Sequence, residues 1–232
     1  MDGQRLDLVV FGASGFTGQS AVREVEKLAT EKKLTWGISG RNESKLKEVL
    51  VKIGKETGKF SLWHMTSLLE FILNMRCLMT GKDLSQIKII IADVGDEKAL
   101  LAMAQQASVV VNCCGPYRHW GEPVVKACIA GGAHYVDVTG EPEVWTVKAM
   151  VQYEVLILRS NFWFVNNFQF MERMQLEYND EAEKKGVYVV SACGFDSIPA
   201  DVGAVFLQQN FPGKLAKFAI KWKLPCTYND WC

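Results

Sequence analysis

The chain has 232 residues, 49% of them hydrophobic and 22% charged, with a formal net charge of zero. This is the profile of an ordinary folded domain, long enough for one α/β domain and a fragment of another. A neutral chain has no global field to recruit nucleic acid or an anionic membrane, and no nucleic-acid-binding motif appears in it.

The first residues, Met1 to Arg5, lead directly into a strand pattern and lack the basic and apolar regions of a secretory signal. No apolar run approaches the ~20 residues that span a bilayer, so membrane contact is expected to be peripheral only. The seven cysteines are odd in number and none forms C-x-x-C, which points to a reduced, cytoplasmic setting with thiols packed as small apolar groups. The three histidines, His64, His119 and His134, show no metal-ligand spacing, and no metal is expected.

In chain order, the first element is the apolar run Leu6 to Phe11. It turns through Gly12-Ala13-Ser14-Gly15-Phe16-Thr17-Gly18 into a helical pattern from Gln19 to Leu28. A buried strand, a G-x-x-G-x-x-G turn and a helix together predict a dinucleotide site. Gly12 permits the tight turn, Gly15 lets backbone approach a pyrophosphate, and Gly18 lets the helix pack on the strand. The helix N-terminus then offers its free N–H groups and dipole to the phosphates.

Further strands are predicted at Leu34–Ser39, Ile87–Ala92, Ser108–Asn112, His134–Val138 and Val187–Ser191. Helices are predicted from Glu43 to about Ile53, from Glu97 to Gln106, from Pro123 to about Ala130 and from Pro199 to Gln209. Near-continuous apolar strands alternating with helices predict an α/β fold, a doubly wound parallel sheet with helices on both faces. Ligands of such sheets bind outside the carboxyl ends of the strands.

The residues at those ends are chemically pointed. After the second strand stands Arg41, where an NAD-selecting protein usually has an acid for the ribose 2′-hydroxyl. Arginine suits the 2′-phosphate of NADP, which makes NADP the expected cofactor and NAD the alternative. A solvated arginine at a helix start is the plain reading. Asp93 can serve the adenine or cap the next helix. The loop Asn112-Cys113-Cys114-Gly115-Pro116-Tyr117 should run beneath the ribose and nicotinamide, with both cysteines packed rather than nucleophilic. Glu141 follows the fifth strand, and Asp196 and Ser197 precede the last helix. Tyr117, Glu141 and Asp196 are the candidate proton donors in the cleft. No tyrosine has a lysine four residues later, so the Tyr-x-x-x-Lys relay of short-chain dehydrogenases is missing.

The chain resembles the saccharopine dehydrogenase-like oxidoreductases. The match lies in Val9 to Gly18, Gly40-Arg41, Asn112 to Tyr117, Gly121 to Val125, Tyr135 to Pro142 and Gly194 to Asp201. The resemblance implies a Rossmann domain followed by an α+β domain, here residues 1–212 and the first strand of an incomplete second domain over 213–232. It implies an oxidoreductase of the divergent branch, related to trans-acting enoyl reductases of glycolipid synthesis. It also implies a lipid-linked small-molecule substrate, peripheral association with lipid droplets or membranes on the cytoplasmic side, and a homodimer of the complete protein.

Two stretches, roughly Phe60 to Lys82 and Glu143 to Phe170, exceed what single crossovers need. They are expected outside the sheet, as poorly packed helices or loops. The chain also stops at Cys232, just after the expected strand from Lys214 to Lys223. Three functions stay open: an NADP-dependent oxidoreductase, a non-catalytic NADP-binding scaffold or redox sensor, and an inactive variant.

Overall fold

The computed structural model describes residues 5–57, 81–139, 168–195 and 197–212. In chain order the elements are β1 (Leu6–Phe11), α1 (Phe16–Lys32), β2 (Trp36–Gly40), α2 (Glu43–Thr57), β3 (Lys88–Ile91) and α3 (Glu97–Ala104). There follow β4 (Ala107–Asn112), α4 (Tyr117–Gly131), β5 (His134–Asp137), α5 (Phe168–Lys185), β6 (Val189–Val190) and α6 (Ile198–Asn210). Every strand pairing is parallel, in the order β3-β2-β1-β4-β5-β6. The chain starts in the middle, steps out to β3, crosses back beside β1 and steps out the other way. This is the doubly wound Rossmann order.

Both faces of the central strands are covered, which is why β1, β2 and β4 are largely apolar. Val9, Phe11, Val110 and Tyr135 pack against α3, α4 and α5, whereas Val10, Trp36 and Ile38 pack against α1 and α2. Each fully buried Val, Leu or Ile stabilises the fold by about 1.5–3 kcal/mol. The register sets Phe11 opposite both Ser39 and Asn112, Gly40 opposite Ile91, and Asn112 opposite Asp137. Five strands therefore end at one level, and the segments that follow them share one edge.

The amino end of β1 is pinned from the opposite side. The Arg5 guanidinium donates to the carbonyls of Gln105 (3.0 Å), Gly132 (2.7 Å) and Gly131. It thus satisfies carbonyls where α3 and α4 end, groups that an unaided helix leaves without partners.

Several elements differ from expectation. Helix α4 begins at Tyr117, and Pro123 lies inside it. Pro116 is the N-cap, and its carbonyl accepts the N–H groups of His119 and Trp120. A proline inside the helix forgoes one backbone bond, and here it is tolerated. Strand β6 is short, covering only Val189 and Val190, because Ala192 turns with φ of +57° and its N–H goes to Asp137. Helix α5 joins the covering layer between β5 and β6 in sequence. Helix α6 forms as expected but has no buried residue among those described. Its Val202 and Phe206 are 60% and 63% exposed.

The outer limits expected for the two long connections need correction. Lys82 belongs to the domain. Its N–H donates to the Gly54 carbonyl (2.8 Å), and its ammonium pairs with Glu26, whose side chain is only 4% exposed. Phe170 belongs to the core, enclosed where α5 packs on α4. Residues 60–80 and 143–167, and the strand expected from Lys214, lie outside the described residues.

Candidate cofactor-binding site

The turn after β1 is built by its glycines. Gly12 has φ of +77°, a left-handed conformation that L side chains rarely adopt. A Cβ there would also stand 3.0 Å from the backbone of Cys113 and Cys114, so the β1 turn lies directly on the β4 loop. A Cβ on Gly18 would meet the Gly12 carbonyl oxygen at 2.1 Å, so α1 seats itself on the turn only because this residue has none. The backbone is held by Gly12 N–H and Ala13 N–H donating to the Ser39 carbonyl (3.0 and 3.2 Å) and by Gly15 N–H donating to the Gly12 carbonyl (3.0 Å). The Gln19 side-chain amide donates to the Ser14 carbonyl at 3.2 Å.

Gly15 is the N-cap of α1, with no side-chain cap and no acidic residue in the first turn. Gly15, Phe16 and Thr17 are exposed, and a Cβ on Gly15 would meet only the Gly12 carbonyl, at 3.3 Å. The helix dipole therefore opens to solvent with no carboxylate of that turn competing for it, which fits a phosphate.

Arg41 is exposed and follows β2 immediately. Asp93 lies just beyond the paired end of β3. Its Oδ1 accepts the Gly95 N–H at 2.9 Å, whereas α3 is capped by Asp96, which accepts from Lys98 and Ala99 at 3.0 Å. Of the two roles open to Asp93, the helix cap is thus taken by Asp96. The Cys114 thiol feels both Asp93 and Arg41. Burial raises its pKa most, Asp93 raises it further, and Arg41 opposes them. Arg41, Asp93 and Cys114 thus each follow the end of a strand, β2, β3 and β4, on one edge of the sheet.

The loop after β4 is held from behind. Asn112 is wholly buried; its Oδ1 accepts the Cys114 N–H at 2.9 Å and its backbone carbonyl accepts the Tyr117 hydroxyl at 2.9 Å. Asn112 thus supports the loop rather than lining its surface, which is formed by exposed Gly115 and Pro116. Burial, with smaller contributions from Cys114 and Asp137, pushes the Cys113 thiol up to about 12, the direction that disfavours the thiolate.

Among the proton-donor candidates, Tyr117 is only 5% exposed, and its hydroxyl is engaged with the Asn112 carbonyl. Glu141 and Asp196 lie outside the described residues. Ser197 is the N-cap of α6 without a side-chain cap hydrogen bond. Sequence reading overlooks Asp137, which is 1% exposed and accepts the Tyr135 hydroxyl at 2.6 Å. A cavity of about 550 Å³ lies elsewhere, between α2 and residues 81–89, and includes none of these strand-end residues.

A doubly wound sheet with an uncapped glycine turn at its switch point defines a dinucleotide-binding Rossmann protein. A sequence model described as the saccharopine dehydrogenase NADP binding domain matches residues 8–190. The chain belongs to that family, and its cofactor is NADP. A Caenorhabditis elegans protein named "Lipid droplet localized protein" is 40% identical over 211 residues, covering 91% of this chain and 38% of the relative. A Homo sapiens "Saccharopine dehydrogenase-like oxidoreductase" is 39% identical over 212 residues, covering 90% of this chain and 38% of that protein. The chain therefore spans well under half the length of these relatives. A solved apo saccharopine dehydrogenase (L-Glu forming) from Saccharomyces cerevisiae aligns with a TM-score of 0.49 at 16% identity, covering 88% of this chain and 31% of that one.

Proposed function

We propose that the chain is the NADP-binding part of an oxidoreductase that acts on a lipid-linked carbonyl or unsaturated carbon. The observation that carries the cofactor reading is the uncapped, acid-free N-terminus of α1 above a glycine turn resting on the β4 loop. Gly12, Ser14, Gly15, Phe16, Thr17 and Gly18 would present backbone to the pyrophosphate. Arg41 would pair with the 2′-phosphate, and Asp93 would accept from the adenine amino group. Cys113, Gly115 and Pro116 would floor the nicotinamide end, with Asn112 bracing them. NADPH, when bound, supplies a hydride at nicotinamide C4. The candidate proton donors are Tyr117, Glu141 and Asp196; the hydrogen bond of the Tyr117 hydroxyl to the Asn112 carbonyl favours the two carboxylic acids.

The name of the C. elegans relative supports a setting at lipid droplets. It equally supports the second reading, a cofactor-binding scaffold or redox sensor at lipid droplets. Among the described residues no helix is long and apolar enough to cross a membrane.

The test is titration of the chain with NADPH and NADH, before and after Arg41→Ala. A charge-assisted pair to phosphate is worth on the order of 1.5–3 kcal/mol, so NADPH should bind roughly ten- to a hundredfold tighter in the wild type only. Equal affinities in the wild type would defeat the role of Arg41. Binding without turnover on lipid enoyl and carbonyl substrates would favour the scaffold.

A further inference from the structure

Building on the cofactor reading above, we propose that Asp137 is a positioning residue for the nicotinamide half of the cofactor, acting through Tyr135 and Asn112 on the backbone of Cys114. Asp137 is buried at the end of β5, and its carboxylate is ringed by donors. Oδ2 takes the hydroxyls of Tyr135 (2.6 Å) and Ser191 (3.1 Å), and Oδ1 takes the N–H groups of Thr139 (2.9 Å) and Ala192 (3.1 Å). Its backbone carbonyl accepts the Cys193 N–H at 2.7 Å. None of these partners is a cation. A carboxylate so placed is costly to bury, and among the described residues it is held by hydrogen bonds alone.

The geometry shows what it organises. Tyr135 is wholly buried; its hydroxyl donates to Asp137 and accepts from the Asn112 side-chain amide at 3.1 Å. Asn112 Oδ1 in turn holds the Cys114 N–H. The donors of Asn112 and Tyr135 run in sequence toward the carboxylate, which fixes the Asn112 amide in one orientation. The loops after β4, β5 and β6 are thereby gathered on a single buried group. The Tyr135 phenol is held well above its ordinary range by burial and by Asp137, so it stays a donor. Beside this hub, among the described residues, the Thr139 hydroxyl is buried without a hydrogen-bond partner, an acceptor and donor in reserve at the same strand end.

The test separates the two halves of the cofactor. The full chain, as wild type, Asp137→Asn and Tyr135→Phe, is titrated with NADPH and with adenosine 2′,5′-bisphosphate, which reaches Arg41 and the glycine turn but carries no nicotinamide half. Wild type should bind both. The folded variants should keep wild-type affinity for the bisphosphate, bind NADPH on the order of tenfold more weakly, and lose much of its fluorescence change on binding. Tyr135→Phe cuts the chain of bonds while sparing those of Asp137 to Ser191, Ala192 and Thr139, so it decides the matter if Asp137→Asn does not fold. Wild-type NADPH binding in a folded variant overturns the inference, as does equal loss of both ligands. Failure of the wild type to bind either ligand overturns the cofactor reading itself.

Discussion

The Phe170 ring fills the notch that Gly121 leaves in α4: a Cβ on Gly121 would stand 2.4 Å from Phe170 Cζ. Phe170 is 2% exposed, so the ring has no open space into which to retreat. Gly121→Ala should therefore destabilise the domain by about 1–3 kcal/mol through overpacking, although alanine is the better helix former. Urea unfolding measures it, and a gain in stability would show that the ring can move.

Glu122, the next residue, makes stability depend on acid pH. Lys126 (2.8 Å), the Tyr178 hydroxyl (2.7 Å) and Arg173 (2.6 Å) surround its carboxylate. Hydrogen bonds from Lys126 first and Tyr178 next, with Arg173 adding to them against the opposing cost of burial, bring its pKa from 4.5 to about 2. The folded value lies below the unfolded one. The contribution is therefore fully present above pH 4.5 and is lost as pH falls toward 2. Because the group is partly solvated, we expect about 1–2 kcal/mol. Glu122→Gln should cost that much at neutral pH and almost nothing once the carboxyl is protonated, as read by denaturant midpoints across the range.

Lys82→Met should strand the Glu26 carboxylate, which is 4% exposed and otherwise held by the Thr30 hydroxyl at 3.1 Å. Unpairing a buried charge costs about 3–5 kcal/mol, and the 37% exposure of the Lys82 side chain lowers the expected loss to about 1–3 kcal/mol. Adding Glu26→Gln should recover part of it. If the double variant is no more stable than the single one, the pair is not the cause.

Gly15→Leu should cost about 0.5–1 kcal/mol of stability, since leucine is a poorer N-cap than glycine and its Cβ would stand 3.3 Å from the Gly12 carbonyl. The variant should still fold, because the position is exposed with φ of −74°. It should abolish measurable NADPH binding by occupying the pyrophosphate space. Calorimetry of the folded variant checks it, and unchanged affinity would move the site elsewhere.

Much of the fold is legible because β1 to β5 are largely apolar runs, and the candidate cofactor turn because its glycines have fixed spacing. Arg41 can be placed at the carboxyl end of β2 because the strand pattern stops just before it. Helix α5 is obscured because Phe170 continues the apolar stretch before it. Its signal is the stripe Phe170, Met174, Tyr178 and Ala182, spaced by four and packed on one core. Pro123 looks like a helix start, yet α4 already begins at Tyr117 with Pro116 as its N-cap. Two prolines stand near that boundary, and position alone does not say which of them opens the helix. The Asp137 hub is not legible, because it depends on Asn112 lying opposite Asp137 across two strands, and a pairing between distant segments leaves no local pattern.

The strand order has a consequence for how the protein is made. β1 is synthesised first and lies at the centre of the sheet, yet its partner on one side, β4, follows about a hundred residues later, with Leu6 opposite Ala107. At about 5–20 residues per second, the ribosome leaves that apolar edge unpaired for roughly 5–20 s. Among the described elements, β2, β3 and their helices are the ones that can shelter it during that interval. The nascent half-sheet is thus a species with an open, sticky margin, and such margins invite aggregation. Pairing of β4 with β1, and the closure of Arg5 over the ends of α3 and α4, can come only once the second half has emerged.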